Sequence, residues 1–208
     1  MTNLPKTLSG KRAIVTGADR GIGAGIARAL ASRGASVCLN VFGPIENCKD
    51  LASETQGFAI QADVRDQQMI HTLFEEATER MGGIDILVNN AGVESIQPAL
   101  ELTVEEWDRV HFTDLRGAFF CSQAAARRMK SQGSGGAIVN ITSIHDQIPR
   151  LGTVHYSSAK AGLSMMTKSL AHEWAEYGIR VVGVAPGAIE VFRQGRVNAH
   201  RASAKSSN

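Results

Sequence analysis

The stretch Arg12-Ala13-Ile14-Val15-Thr16-Gly17-Ala18-Asp19-Arg20-Gly21-Ile22-Gly23 decides the fold. Residues 12–16 form a short apolar, β-branched run, which reads as a strand. The run breaks into a glycine-rich turn. From 22 to 32 the apolar residues Ile22, Ile26, Ala29 and Leu30 return at helical spacing, and Gly34 stops the helix. Strand, glycine turn and helix thus follow each other without a spacer.

The same alternation continues outward. Further strands are expected at 35–41, 58–62, 84–89, 137–142 and 179–184. Helices are expected at 46–55, 66–81, 104–131 and 154–177, and Thr103 with Glu106 reads as a capping box for the third of these. Six short, nearly continuous apolar strands alternating with helices imply a parallel sheet covered on both faces. The expected class is α/β, a doubly wound parallel sheet in three αβα layers.

Composition excludes several other classes. The chain has 208 residues, a length that suits one domain. Hydrophobic residues make up 43% and charged residues 20%, ordinary values for a folded chain. A net charge of +2 gives no electrostatic reason to expect a nucleic-acid or membrane partner. Cys38, Cys48 and Cys121 lie far apart with no Cys-x-x-Cys pair, so neither a metal site nor a disulfide framework is expected, and the setting reads as a reducing cytoplasm. Residues 1–11 lack the apolar core of a signal peptide, and no apolar run nears the ~18 residues of a membrane span. From Arg193 to Asn208 there are basic but no acidic residues, so 191–208 is expected to be a disordered basic tail, with a basic docking tail as the alternative.

Three constellations carry chemistry. Gly17, Gly21 and Gly23, with Arg20 and Ile22 between them, form a strand-to-helix turn that lets backbone approach a pyrophosphate at a helix N-terminus. An ordinary tight turn is the bland alternative. Asn89-Asn90-Ala91-Gly92 and Asp63-Val64 end two other strands on the same edge, where open α/β sheets bind ligands. Asp63 alone would read as a helix cap. Ser143 ends a strand, and Tyr156 and Lys160 are four apart on one helix face. A phenol is a poor base at neutral pH, and a neighbouring ammonium favours its ionised form.

In this order and at these junctions, the three motifs resemble the short-chain dehydrogenase/reductase family over about residues 8–190. The resemblance implies a Rossmann-type domain over 8–190 and hydride transfer between a nicotinamide and an alcohol or carbonyl. It implies that Gly17, Gly21 and Gly23 cradle the pyrophosphate and Asp63 sits by the adenine. Asn90, Ala91 and Gly92 line the cofactor cleft, with Pro186-Gly187 bordering the nicotinamide. Tyr156 is then the acid/base, Lys160 its modulator and ribose ligand, and Ser143 polarises the substrate. Residues 89–94 and 143–149, with Val154-His155-Tyr156, are similar to glucose 1-dehydrogenases of the family. That implies an aldose substrate facing Glu94 and His145, with a 3-oxoacyl or general ketone reductase as the alternative. No carboxylate ends the second strand, Leu39-Asn40-Val41-Phe42, and Arg20 can meet a 2′-phosphate. NADP is expected, with NAD tolerated.

Two departures from the family stand out. Asp114 occupies the place of an Asn, which adds negative charge near Lys160. The family also continues for about another 50 residues with a seventh strand and a substrate lid, so a six-stranded sheet with strand six as an open edge is expected here. A homodimer through the long helices remains open to such a chain. These departures leave a second reading, of a cofactor-binding protein with little or no catalysis.

Overall fold

The computed structural model describes residues 5–189; Glu190 and the expected tail 191–208 lie outside them. Within them six strands alternate with helices. The strands are β1 (Arg12–Val15), β2 (Ser36–Val41), β3 (Phe58–Gln61), β4 (Ile86–Asn89), β5 (Gly136–Ile141) and β6 (Ile179–Val184). The helices are α1 (Gly21–Ser32), α2 (Lys49–Thr55), α3 (Gln67–Met81), α4 (Val104–His111), α5 (Ala118–Gln132) and α6 (Val154–Glu173). All strand pairs are parallel, in the order β3-β2-β1-β4-β5-β6. The order reverses between β1 and β4, the point at which doubly wound sheets open a ligand crevice.

Two apolar layers hold the sheet. Side chains of α3, α5 and α6, among them Leu73, Phe74, Met129 and Leu170, pack with Ile14, Leu87 and Ile138 on one face. On the other, α1 and α2 pack with Val15, Val37 and Leu39. The buried stripe of α1 is Gly23, Ala24 and Ala27, flanked by the half-buried Ile26 and Leu30, while Ala29 faces solvent. The helix is therefore turned from the face its larger apolar residues define, because only small residues let it approach the sheet closely. β6 is an edge of the described sheet, with Val182 and Val184 about half exposed.

The expected helix over 104–131 is interrupted. Phe112–Gly117 winds as a π-helical turn between α4 and α5. Two contacts account for its position. Thr113 Oγ1 donates to the Arg109 carbonyl at 2.8 Å. Gly117 lies so close to β3's outgoing chain that an added Cβ would stand 2.7 Å from the Val64 carbonyl oxygen. Such a turn inserts one extra residue into the helix and re-aims its side chains, a feature common at functional sites. Here it turns Asp114 inward, leaving it 1% exposed. The capping box is half made: Thr103 Oγ1 accepts from the Glu106 N–H, while the Glu106 carboxylate turns to Ser95 and Arg109.

Candidate active site

The carboxyl ends of β1 to β6 meet at one edge of the sheet around a cavity of about 630 Å³. Its first wall is the β1–α1 turn. Gly17 and Gly21 have φ of +60° and +55°, values that L side chains rarely adopt. A Cβ at Gly17 would also stand 2.9 Å from the Ala91 Cα. Gly23 does not line the cavity; it allows close packing, since a Cβ there would strike the Gly17 carbonyl oxygen. No side chain among the described residues caps α1, and its first turn, with Gly21 and Ile22, lines the cavity. Arg20, with its side chain 79% exposed, stands at the same mouth with Phe42.

Polar anchors fix the opposite wall. The hydroxyl oxygen of Thr16 accepts from the N–H groups of Asn90 and Ala91, both at 3.0 Å. The Asn90 amide donates to the carbonyls of Thr16 and Gly17, both at 2.9 Å, which ties the two glycine-bearing turns together. Thr16 was not singled out in the sequence; as the last residue of the strand run it carried no motif signal. Asp63 and Val64 line the cavity, but Arg65 grips the Asp63 carboxylate at 2.6–3.0 Å. That pair holds Asp63 below the usual carboxylate range despite its partial burial, and any contact with an adenine has to compete with it.

At the other end lie Ser143, Tyr156, Lys160 and Asp114, with Pro186 and Gly187 across from them. Ser143 Oγ accepts from the His145 N–H at 3.1 Å, so its own proton is free for another oxygen. Lys160 is buried. Its Nζ donates to the Ile141 carbonyl at 3.0 Å and lies 3.2 Å from Asp114 Oδ2. The Tyr156 ring centroid is 5.6 Å from that Nζ, so the ammonium is held by Asp114 and Ile141 rather than by the phenol. Asp114 Oδ1 accepts from the Val93 N–H at 2.8 Å, while Oδ2 faces the Lys160 ammonium. Burial pushes the Asp114 carboxyl above its usual range, and Lys160 and the Val93 N–H pull against it. Gly92 leaves the space: a Cβ there would stand 2.9 Å from Asp114 Oδ2.

The two residues assigned to the substrate part company. Glu94 lines the cavity and pairs with Arg150 at 2.6 Å, which joins the loops after β4 and β5. His145 is not among the lining residues. Its Nδ1 is engaged with the Ile148 carbonyl at 2.9 Å, which turns the ring to its own loop. Arg109, held by Glu106 on α4, and Thr113, in the π-helical turn, join the wall without having been expected there, because neither the ion pair nor the turn leaves a mark in the apolar spacing.

The family model for short chain dehydrogenase matches residues 11–202. The chain belongs to the short-chain dehydrogenase family. The match runs past Glu190, where the resemblance was expected to end. The 3-oxoacyl-acyl-carrier-protein reductase FabG of Staphylococcus aureus is 40% identical over 184 residues, 86% of this chain and 74% of that protein. Glucose 1-dehydrogenase 2 of Bacillus subtilis is 36% identical over 190 residues, 88% of this chain and 74% of that protein. The crystal structure of the acetoin dehydrogenase YohF from Salmonella typhimurium superposes with a TM-score of 0.85 at 34% identity, over 91% of this chain and 77% of that one. Identity therefore does not single out the sugar enzyme. This short-chain dehydrogenase is an oxidoreductase acting on CH–OH or carbonyl groups, with a nicotinamide as the family's cofactor.

Proposed function

We propose that this dehydrogenase transfers hydride between NADP(H) and a small polar alcohol or carbonyl compound, within one nucleotide-binding domain over residues 8–190. The observation that carries the reading is one continuous cavity with a glycine cradle at one end and Ser143, Tyr156 and Lys160 at the other. The cradle fits a dinucleotide: side chains are kept out at Gly17 and Gly92, and the uncapped N–H groups of α1 suit a pyrophosphate. Gly21, Ile22 and Asn90 complete that wall. When bound, the nicotinamide accepts or supplies the hydride.

The chain's own residues handle the proton and the oxygen. Ser143, its acceptor side occupied by His145, donates its hydroxyl proton to the substrate oxygen. Tyr156 takes the alcohol proton in oxidation and returns it in reduction. The Lys160 ammonium, beside Tyr156, binds ribose hydroxyls, and Asp114 competes for that ammonium. This competition favours a slow enzyme, and in its extreme form it supports the alternative of a cofactor-binding protein with little catalysis.

NADP preference rests on exposed Arg20 and on the absence of a carboxylate at the end of β2. Replacing Arg20 by Ala is expected to weaken NADPH binding by about tenfold, ~1.4 kcal/mol, and to leave NADH binding unchanged, as read by cofactor fluorescence. Equal losses for both cofactors would remove the NADP assignment.

Glu94 in the wall favours a polyol such as an aldose, with a ketone or 3-oxoacyl substrate as the second reading. Oxidation of glucose against reduction of a simple diketone with the same preparation separates them. We also infer a homodimer through the α4–α5 and α6 faces, where Val104, Phe112 and Met165 stand 70%, 43% and 60% exposed. Sedimentation analysis tests it. A reducing cytoplasmic setting is supported by three unpaired, buried cysteines, Cys38, Cys48 and Cys121.

A further inference from the structure

Between β4 and α4 the chain runs without regular structure, yet it is pinned at intervals. The Val93 N–H donates to Asp114 Oδ1 at 2.8 Å, and the Gln97 N–H donates to the Gly152 carbonyl at 2.9 Å. Between these points Ser95 turns inward. Its Oγ lies 2.9 Å from His155 Nε2 and also bonds a carboxylate oxygen of Glu106. Arg109 grips Glu106 through two hydrogen bonds of 2.7 Å. His155, wholly buried, directly precedes Tyr156 on α6. Loop, α4 and α6 thus meet at one partly buried chain of side chains.

The protons in this chain can be placed. Hydrogen bonds from Arg109 and Ser95 hold the Glu106 carboxyl down to about 2, so near neutral pH it can only accept. The single Ser95 proton therefore points to Glu106, and a Ser95 lone pair faces the imidazole. His155 must donate through Nε2–H. Its Nδ1 is then bare, buried and without a partner among the described residues. A second proton there would find no acceptor, and burial holds the imidazole below its usual value. The charged or titratable groups around it are Glu106, Arg109, His111 and Asp114. His155 is thus a neutral link with one defined tautomer.

We propose that His155 is a positioning residue: its link through Ser95 to Glu106 locks the β4–α4 loop so that Glu94 stays in the cavity wall. Burial along residues 91–97 alternates residue by residue, as in an extended chain whose neighbouring side chains point opposite ways. With Ser95 fixed by His155 and Glu106, its neighbour Glu94 is held at the cavity wall, where it pairs with Arg150. The proposal rests on the reading above that Ser143 and Tyr156 mark the substrate end.

The test compares the wild type with His155→Phe, Ser95→Ala and His155→Gln. Hydrogen exchange is read at the Val93 and Gln97 amides, NADPH affinity by fluorescence, and KM and kcat with acetoin and NADP. In His155→Phe and Ser95→Ala both amides are expected to exchange about tenfold faster, since local opening follows the loss of local contacts. KM should rise by a similar factor, with kcat and NADPH affinity within about twofold. In His155→Gln the side-chain amide can donate to Ser95, and both readouts should recover. Unchanged exchange and KM in Ser95→Ala would overturn the proposal. So would loosening spread over the whole chain with no recovery in His155→Gln. A wild type that turns over no alcohol or carbonyl probe would sink the proposed function instead, and the exchange measurement would still decide the role of His155.

Discussion

The two ends of the cavity are built in opposite ways. The end proposed for the nucleotide is made of backbone: glycines at positive φ, uncapped helix N–H groups, and the Thr16–Asn90 hydrogen bonds that hold two turns together. The end proposed for the substrate is made of paired side chains: Asp114 with Lys160, Glu94 with Arg150, and Glu106 with Arg109 and, through Ser95, with His155. Backbone geometry tolerates few substitutions and leaves a short motif. Paired side chains can be exchanged singly and redirect chemistry without moving the fold. The glycine-bearing turns are thus set by backbone, and single substitutions act mainly through the side-chain pairs of the other half.

The largest effect expected is at Tyr156. Tyr156→Phe should lower kcat by about a thousandfold, the scale of a lost acid–base group, while NADPH binding persists. Loss of cofactor binding as well would show that the two ends are not separable. Gly17→Val attacks the other end. With φ at +60° and Ala91 Cα 2.9 Å from the new Cβ, NADPH affinity should fall by about a hundredfold, ~2.7 kcal/mol, as measured by titration.

Asp114→Asn sharpens the comparison, because it puts at this position the Asn that the family resemblance implies. Releasing the Lys160 ammonium should raise kcat by about tenfold. In the wild type kcat should fall as pH rises through the raised Asp114 value, since the ionised carboxylate then captures Lys160. The pH–rate profile of the variant should lose that limb. An unchanged rate and profile would mean that Asp114 serves only as an acceptor for the Val93 N–H.

The smallest effect is on stability in acid. The folded-state Glu106 carboxyl, at about 2, lies below its ordinary value of 4.5. Its contribution is therefore complete above pH 4.5 and is lost as pH falls towards 2. Urea unfolding of the wild type and Glu106→Gln should converge over that interval. A constant gap down to pH 2 would remove Glu106 from the account.

The parallel sheet and the glycine cradle were legible because each follows from a local pattern: apolar runs, glycine spacing, and residues four apart on a helix. The rest depends on distant partners. Ser95 finds His155 sixty positions on, a separation that no helix or strand period encodes. The π-helical turn at Phe112–Gly117 was invisible because apolar spacing runs through it, and it depends on the approach of Gly117 to Val64. Asp63 was assigned to the adenine by resemblance alone, and no local pattern showed that Arg65, two positions on, pairs with its carboxylate. His145 shares a loop with Ser143, yet its ring turns to the Ile148 carbonyl.

Thermal unfolding with and without NADPH tests the central claim most directly. A ligand that binds only the folded chain stabilises it by about 2.7 kcal/mol at a hundred times its Kd. For a domain of this size that corresponds to a rise in Tm of about 5–10 °C. The account predicts one cooperative transition that rises with NADPH and rises less in Gly17→Val. A transition indifferent to NADPH and NADH alike would contradict it.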